Sequence, residues 1–244
     1  MSQAERKLEI VTIDGPSGVG KSTVSRLLAS RLGYTYLDTG AMYRAVGLAC
    51  GRAGVDVRDE ETVARLLDTM VIKLLPPDEE DGDVRVLLNG EELGQELRSP
   101  ETGMLASRVS ALRPVRDRLT RMQQEIGRQG KIVAEGRDTG TVVFPDAAWK
   151  FFLDASPEER ARRRIGQLKA RGVEVGEKEI LEQIIQRDRD DRQRPIAPLK
   201  PALDAVVINC STMDAGMVVE TMLEHIRRSV PGQVLAPLGP PYRG

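Results

Sequence analysis

Leu8-Glu9-Ile10-Val11-Thr12-Ile13-Asp14-Gly15-Pro16-Ser17-Gly18-Val19-Gly20-Lys21-Ser22-Thr23 runs from an apolar stretch straight into a glycine-rich loop. The apolar run Leu8–Ile13 reads as a buried strand, and Val24, Leu27, Leu28 and Leu32 then recur at helical spacing. Gly15 to Ser22 matches the pattern glycine, four residues, glycine, lysine, serine or threonine, in the context that gives it meaning, between a strand and a helix. Glycines let backbone N–H groups turn toward phosphate oxygens, and the helix amino terminus adds its partial positive charge. Gly15, Pro16, Ser17, Gly18, Val19, Gly20, Lys21, Ser22 and Thr23 are therefore expected to hold a nucleoside triphosphate. Lys21, read as an exposed loop lysine, reaches the β- and γ-phosphates, and the Ser22 hydroxyl ligates Mg²⁺. No Asn-Lys-x-Asp motif is present to read guanine, which directs the expectation to ATP.

Outward from this loop the elements alternate. Tyr34–Leu37 reads as a second strand and Thr39–Ala53 as a helix, followed after the insertion by helical segments over 100–111 and 114–128. Strands are expected at Lys131–Ala134, Phe151–Asp154 and Ala205–Asn209, and the last helix ends near Arg228. Alternation of this kind predicts an α/β fold, a doubly wound parallel sheet. Residues 71–96 differ: Val71–Leu75, Val84–Leu88 and Glu91–Leu93 flank an acidic turn and Asn89-Gly90, a strong hairpin signal, so a small antiparallel insertion is expected there. Ser156-Pro157-Glu158-Glu159 reads as a helix start with a capping box, opening a basic arm to about Gly172 and a second helix over Glu177–Arg189. The expected organisation is a core over 1–70 and 97–230, the insertion over 71–96, and a proline- and glycine-rich tail over 231–244 that is too poor in apolar surface to pack.

The composition narrows the function further. A chain of 244 residues can bury one continuous core. Basic and acidic residues nearly cancel, for a net charge of -1, and aromatic residues are only 3%, so a nucleic-acid surface is not expected. Arg160, Arg162, Arg163, Arg164, Lys169 and Arg171 nevertheless crowd one segment, a pattern better suited to small anionic ligands. Cys50 and Cys210 are far apart and lack metal-ligand spacing, which fits a reduced cytoplasmic protein with neither disulfide nor zinc. The opening apolar run is too short for a signal-peptide core, and no run approaches membrane-spanning length. His225, the single histidine, falls in a C-terminal amphipathic helix and reads as a surface or boundary residue. Phosphoryl transfer works by positioning and electrostatics and needs no imidazole.

Leu37-Asp38-Thr39-Gly40-Ala41-Met42-Tyr43-Arg44, Glu135-Gly136-Arg137-Asp138-Thr139-Gly140-Thr141-Val142-Val143-Phe144-Pro145-Asp146-Ala147, and Arg187-Asp188-Arg189-Asp190-Asp191-Arg192-Gln193-Arg194 with Ala197-Pro198-Leu199 carry a more specific likeness. With these motifs in this order the chain resembles the bacterial cytidylate kinases from about residue 8 to about residue 228. Thr39 stands where that family often has serine, and Thr139 where methionine is common. The resemblance implies a P-loop kinase core, an antiparallel-sheet monophosphate-binding insertion and a helical lid over about 156–190. It implies transfer of the γ-phosphoryl group of ATP to CMP or dCMP with Mg²⁺, by a monomer without nucleic-acid or membrane partners.

Residue by residue, it assigns Ser107, Arg116 and Asp138 to cytosine, Tyr43, Arg44, Arg137 and Arg194 to the surroundings of the acceptor phosphate, and Thr39 to the CMP site. Arg187 and Asp191 fall near the ribose and the transferring group, and Lys21, Arg137, Arg187 and Arg194 carry the catalytic charge. Arg160, Arg162, Arg163, Arg164 and Arg171 match lid arginines, at least half of them solvated. From spacing alone, Arg116 reads instead as a solvated arginine on an amphipathic helix, and Arg187–Arg194 as a solvated charge run. Two readings stand for Glu135, which follows the strand Lys131–Ala134: a carboxylate ordering a water on Mg²⁺, or a turn acid with no metal role.

Overall fold

The structure, a computed structural model, describes residues 9–78, 82–170 and 172–229. Leu8, Arg171 and the tail expectation for 231–244 lie outside them. The chain forms two compact units. One runs from the start of the described residues to Tyr36 and takes up Gly130–Arg192 and the stretch from Leu199 onward; the other is Leu37–Gln129 with Gln193–Pro198.

The first unit carries a five-stranded sheet in the order β2-β6-β1-β7-β8, formed by β1 (Ile10–Asp14), β2 (Thr35–Asp38, whose first half belongs to this unit), β6 (Ile132–Gly136), β7 (Trp149–Asp154) and β8 (Val206–Asn209). β1 pairs in parallel with β6, Asp14 opposite Gly136, and with β7, Asp14 opposite Phe152. All five residues of β1 and of β6 are buried, as expected of parallel strands covered on both faces, which explains their mostly apolar sequences. α1 (Lys21–Leu32) and α8 (Ala215–Ser229) supply Val24, Leu28, Val218, Met222 and Leu223 to a core shared with Val11, Ile13, Phe151 and Leu153. His225 lies on α8 with its ring edge-on to Phe151, 5.7 Å between centroids.

α6 (Pro157–Ala170) and α7 (Glu177–Gln193) pack on one another through Ile165, Leu168, Ile180 and Ile184. Only half of the expected capping box forms. The Glu159 amide donates to Ser156 Oγ at 3.2 Å, but the Glu159 carboxylate turns away to Arg162 and Arg163. Between β6 and β7, Thr139–Val143 form one π-helical turn that periodicity does not reveal.

The second unit holds a three-stranded antiparallel sheet, β3 (Ile72–Leu75), β4 (Arg85–Leu88) and β5 (Glu91–Glu92), inside the stretch read as an insertion. Asn89 and Gly90 have φ of 52° and 88°, the left-handed pair that a tight hairpin demands, and Leu88 pairs with Glu91 across it. The sheet shares its core with four helices. α2 (Thr39–Arg52), α3 (Glu60–Asp68), α4 (Pro100–Val109) and α5 (Arg113–Gly127) contribute residues such as Met42, Val46, Val63, Leu67, Val109 and Leu119 to a cluster that includes Val86 and Leu88. α3 is absent from the periodicity reading. Its start is marked by Asp59, whose carboxylate accepts from the Thr62 amide at 3.1 Å, with two acids in the first turn.

Gly47 sets how closely α2 and α4 approach, since a Cβ there would sit 2.8 Å from the Ala106 amide nitrogen and 3.0 Å from the Leu105 carbonyl carbon. Replacing a helical glycine by alanine ordinarily stabilises by up to about 1 kcal/mol, but forcing atoms into a packed backbone contact costs about 1–3 kcal/mol. Gly47→Ala is expected to lower the urea midpoint; an unchanged or raised midpoint would show that α4 moves aside freely.

Candidate active site

The phosphate loop lies between β1 and α1, with Gly15, Gly18 and Gly20 at φ of 151°, 76° and 102°. Its carbonyl groups are held by cations. Lys21 Nζ donates to Gly15 O at 2.8 Å and Pro16 O at 2.7 Å, Arg160 to Ser17 O at 3.1 Å, and Arg163 to Val19 O at 3.0 Å. Lys21 is buried, not exposed as the sequence suggested, because its chain folds back over its own loop. Burial, followed by the Arg137 guanidinium, depresses its pKa well below the ordinary lysine value, against the pull of Glu135, Asp14 and Asp191. A nearby anion would relieve the repulsion between these two cations.

Ser22 Oγ donates to Glu135 Oε1 at 2.7 Å, and the Tyr36 hydroxyl donates to the same oxygen at 2.5 Å. Glu135 thus faces the start of α1 from the end of β6, with Ser22 and Tyr36 on one of its oxygens. A hydroxyl and a carboxylate side by side are hard oxygen donors of the kind Mg²⁺ takes together with phosphates and waters, so these residues fit that ion. Among the described residues no group of three or more His, Cys, Asp or Glu is arranged as a complete metal cage, so further ligands would come from nucleotide and water.

Arg137 Nε donates to Asp191 Oδ2 at 2.9 Å, which fixes the guanidinium against α7. Arg187 stands one helical turn before Asp191 on α7. Asp138 follows Arg137 at the start of the π-helical turn and is buried. The lid arginines divide by role. Arg160 is 1% exposed and forms a two-pronged pair with Asp188, at 3.0 and 2.5 Å. Arg163 reaches Glu159, Val19 O and Cys210 O, and lines a cleft of about 670 Å³ with Gly18, Thr23, Gln167, Thr212 and Asp214. Arg162 is exposed and pairs with Glu159, while Arg164 is half-buried.

In the second unit the expected acceptor residues are knitted together separately. Asp38 caps α2, accepting from the Ala41 amide at 2.9 Å and from Arg44 at 2.7 Å, and Thr39 is buried beside it in the first turn. The Arg116 guanidinium lies 5.7 Å from the centroid of the Tyr43 ring, a cation–π contact. Arg116 is 3% exposed, which overturns the solvated reading that spacing alone favoured. Ser110, which sequence reasoning did not single out, is the hub: its carbonyl accepts from Arg116 at 2.9 Å, its Oγ accepts from Arg194 at 3.5 Å, and that Oγ donates to Ser107 O at 2.7 Å.

Asp14 was also missed, although it sits at the very end of β1. Its Oδ1 accepts from the Thr139 amide at 2.9 Å and the Thr139 hydroxyl at 2.8 Å, and its Oδ2 from the Gly140 amide at 2.8 Å. Burial raises its pKa to about 6, with a smaller push from Asp138, against the lowering effect of these hydrogen bonds. A carboxyl raised in the folded state stabilises fully below its unfolded pKa, near 4, and loses that contribution as pH rises through about 6. Relative to wild type, Asp14→Asn should therefore gain stability between pH 4 and pH 7, by about 3 kcal/mol at most. Urea unfolding of both proteins across that range checks it; a pH-independent difference would show that Asp14 ionises normally.

With this geometry in hand, comparison with known proteins places the chain. The family model described as Cytidylate kinase matches residues 11–228. A cytidylate kinase of Geobacter sp. (strain M21) is 48% identical over 231 residues, covering 94% of this chain and 96% of that protein. Those of Pelotomaculum thermopropionicum and Vibrio vulnificus (strain CMCP6) are each 46% identical, covering 88% and 89% of this chain and 95% of their own lengths. A match that runs through the phosphate loop, the Arg137–Asp138 turn and α7 alike identifies the chain as a member of the cytidylate kinase family.

Proposed function

We propose that the chain transfers the γ-phosphoryl group of ATP to CMP, and also to dCMP, with Mg²⁺ accompanying the ATP. The observation that carries this reading is the phosphate loop with Lys21 crowded by Arg137, a cationic site in a chain of this family. ATP phosphates take backbone N–H groups of the loop from Ser17 to Ser22, and Lys21 exchanges its loop carbonyls for phosphate oxygens. Ser22, and Glu135 through water, would hold Mg²⁺, which would supply charge neutralisation on the transferring phosphate. Arg163 and its cleft hold the rest of the donor nucleotide, and α6 with α7 form the lid, in which Arg160 anchors.

For the acceptor, Asp138, Ser107 and Arg116 read cytosine, and Tyr43, Arg44, Arg137 and Arg194 hold the phosphate within the monophosphate-binding unit and the neighbouring motifs. Thr39, Arg187 and Asp191 complete the acceptor contacts. A carboxylate suits the exocyclic amine of cytosine, and guanidinium or hydroxyl donors suit N3 and O2. In the transfer step an acceptor phosphate oxygen forms a bond to the γ-phosphorus while the bond from that phosphorus to the β–γ bridging oxygen breaks, its electron pair leaving with ADP. That acceptor oxygen is already anionic, so no general base is needed. Lys21, Arg137, Arg187 and Arg194 spread the charge of the transition state.

An ADP-release assay over CMP, dCMP, UMP and AMP tests the assignment directly. CMP is expected to be the efficient acceptor with dCMP close to it, and absence of CMP-dependent ADP release would refute the reading. Lys21→Ala should lower turnover by about 10²-fold or more, the scale of losing a positioned transition-state donor. Its melting temperature should change little, because relief of the crowding with Arg137 offsets the hydrogen bonds lost at Gly15 and Pro16; near-normal turnover would sink the assignment of the loop.

Asp138→Ala should lower the ratio of CMP to UMP efficiency by about tenfold, since a hydrogen bond to a charged group contributes about 1.5–3 kcal/mol. The ratio cancels general damage to the ATP site. If both efficiencies fall together and the ratio is constant, cytosine is read elsewhere.

A further inference from the structure

The turn that bears Arg137 and Asp138 has no regular secondary structure to brace it apart from one π-helical turn, yet the reading of cytosine requires Asp138 to be held within a fraction of an ångström. We infer that Asp14 is the residue that positions this turn, its carboxylate gripping the backbone of Thr139 and Gly140 so that Asp138 is presented to the base and Arg137 to the phosphate. The inference rests on the assignment of Asp138 as a cytosine reader.

Three donors from two successive residues converge on one buried carboxylate, and nothing in the proposed chemistry uses that carboxylate directly. All three need an acceptor oxygen, and they favour the ionised form against the burial that opposes it. The turn is drawn in so closely that a Cβ at Gly140 would lie 2.8 Å from Thr12 Oγ1 and 3.4 Å from Asp14 Oδ2. The charges around Asp14 are Asp138 on the turn, which repels it, and Lys21 on the loop, which attracts it, with the aliphatic stem of Lys150 near Gly140. A carboxylate kept in burial beside a second carboxylate is costly for folding. That cost is understandable when the same group sets a binding loop.

Asp14 also immediately precedes Gly15, so one side chain borders both the phosphate loop and the reading turn. Its loss should therefore be visible in base discrimination. A brace serving only stability would lower the melting temperature and leave discrimination as it was.

The experiment measures CMP and UMP efficiencies, with melting temperatures, for Asp14→Asn, Asp138→Ala and the double variant. In Asp14→Asn an amide N–H replaces an acceptor oxygen and meets a backbone donor, while shape is kept. The CMP-to-UMP ratio is expected to fall about tenfold, mostly through the KM for CMP. In the Asp138→Ala background the same change should leave the ratio within about twofold, because the reader it positions is gone.

Thr139→Val removes only the hydroxyl donor and should shift the ratio in the same direction by less, and it serves if Asp14→Asn does not fold. If Asp138→Ala lowers the ratio while neither Asp14→Asn nor Thr139→Val does, the positioning role is refuted. It is equally refuted if Asp14→Asn lowers the ratio alike in both backgrounds. If Asp138→Ala itself leaves the ratio unchanged, the cytosine assignment falls, and the inference falls with it.

Discussion

A loop that turns its N–H groups inward to face a polyanion must turn carbonyl groups outward, and it has almost no side chains of its own to satisfy them. Here cationic side chains satisfy them instead, Lys21 on Gly15 and Pro16, Arg160 on Ser17, and Arg163 on Val19. Their charges are used twice, once to satisfy the loop and once to raise the local positive potential. Much of the surrounding architecture follows from keeping those cations in place. Arg160 is fully desolvated and needs the two-pronged grip of Asp188; Arg163 needs Glu159, whose own pKa is held at about 2 by hydrogen bonds from Arg162 and then Arg163. The packing of α6 on α7 through Ile165, Leu168, Ile180 and Ile184 brings the members of the first pair together.

The second unit solves a similar problem with fewer charges. Arg116 is buried against the Tyr43 ring and tied to a main-chain carbonyl, so its guanidinium plane is fixed. Ser110 lets one residue set both Arg116 and Arg194, through its carbonyl and its hydroxyl respectively. Side-chain geometry of this kind depends on α4 ending at Val109, since the Ser110 amide still pairs with Ala106 O at 3.0 Å while its carbonyl is left for Arg116.

Much of this was legible in the sequence. The central strands could be read because burial on both faces leaves β1 and β6 mostly apolar before Asp14 and Glu135, and the hairpin because Asn89-Gly90 is one of the few pairs that tolerate its dihedral angles. α3 was not seen, being only nine residues long with two buried positions, Val63 and Leu67, too few to impress a period. The π-helical turn has no periodic signal at all. Arg116 and Arg160 could not be recognised as buried from spacing, because an arginine on an amphipathic helix looks the same whether its partner is water or a distant Asp188 or Tyr43. Asp14 and Ser110 escaped for a related reason: their partners at Thr139 and Arg194 are far along the chain, and their own types are common at strand and helix ends.

The self-contained hydrogen bonding of Lys21 has a bearing on turnover. When phosphate leaves a buried ammonium, the usual outcome is an unsatisfied charge whose desolvation opposes release. If Lys21 holds phosphate as proposed, the carbonyls of Gly15 and Pro16, at 2.8 and 2.7 Å from its ammonium, would replace the departing oxygen within the same loop, and release would leave no charge stranded.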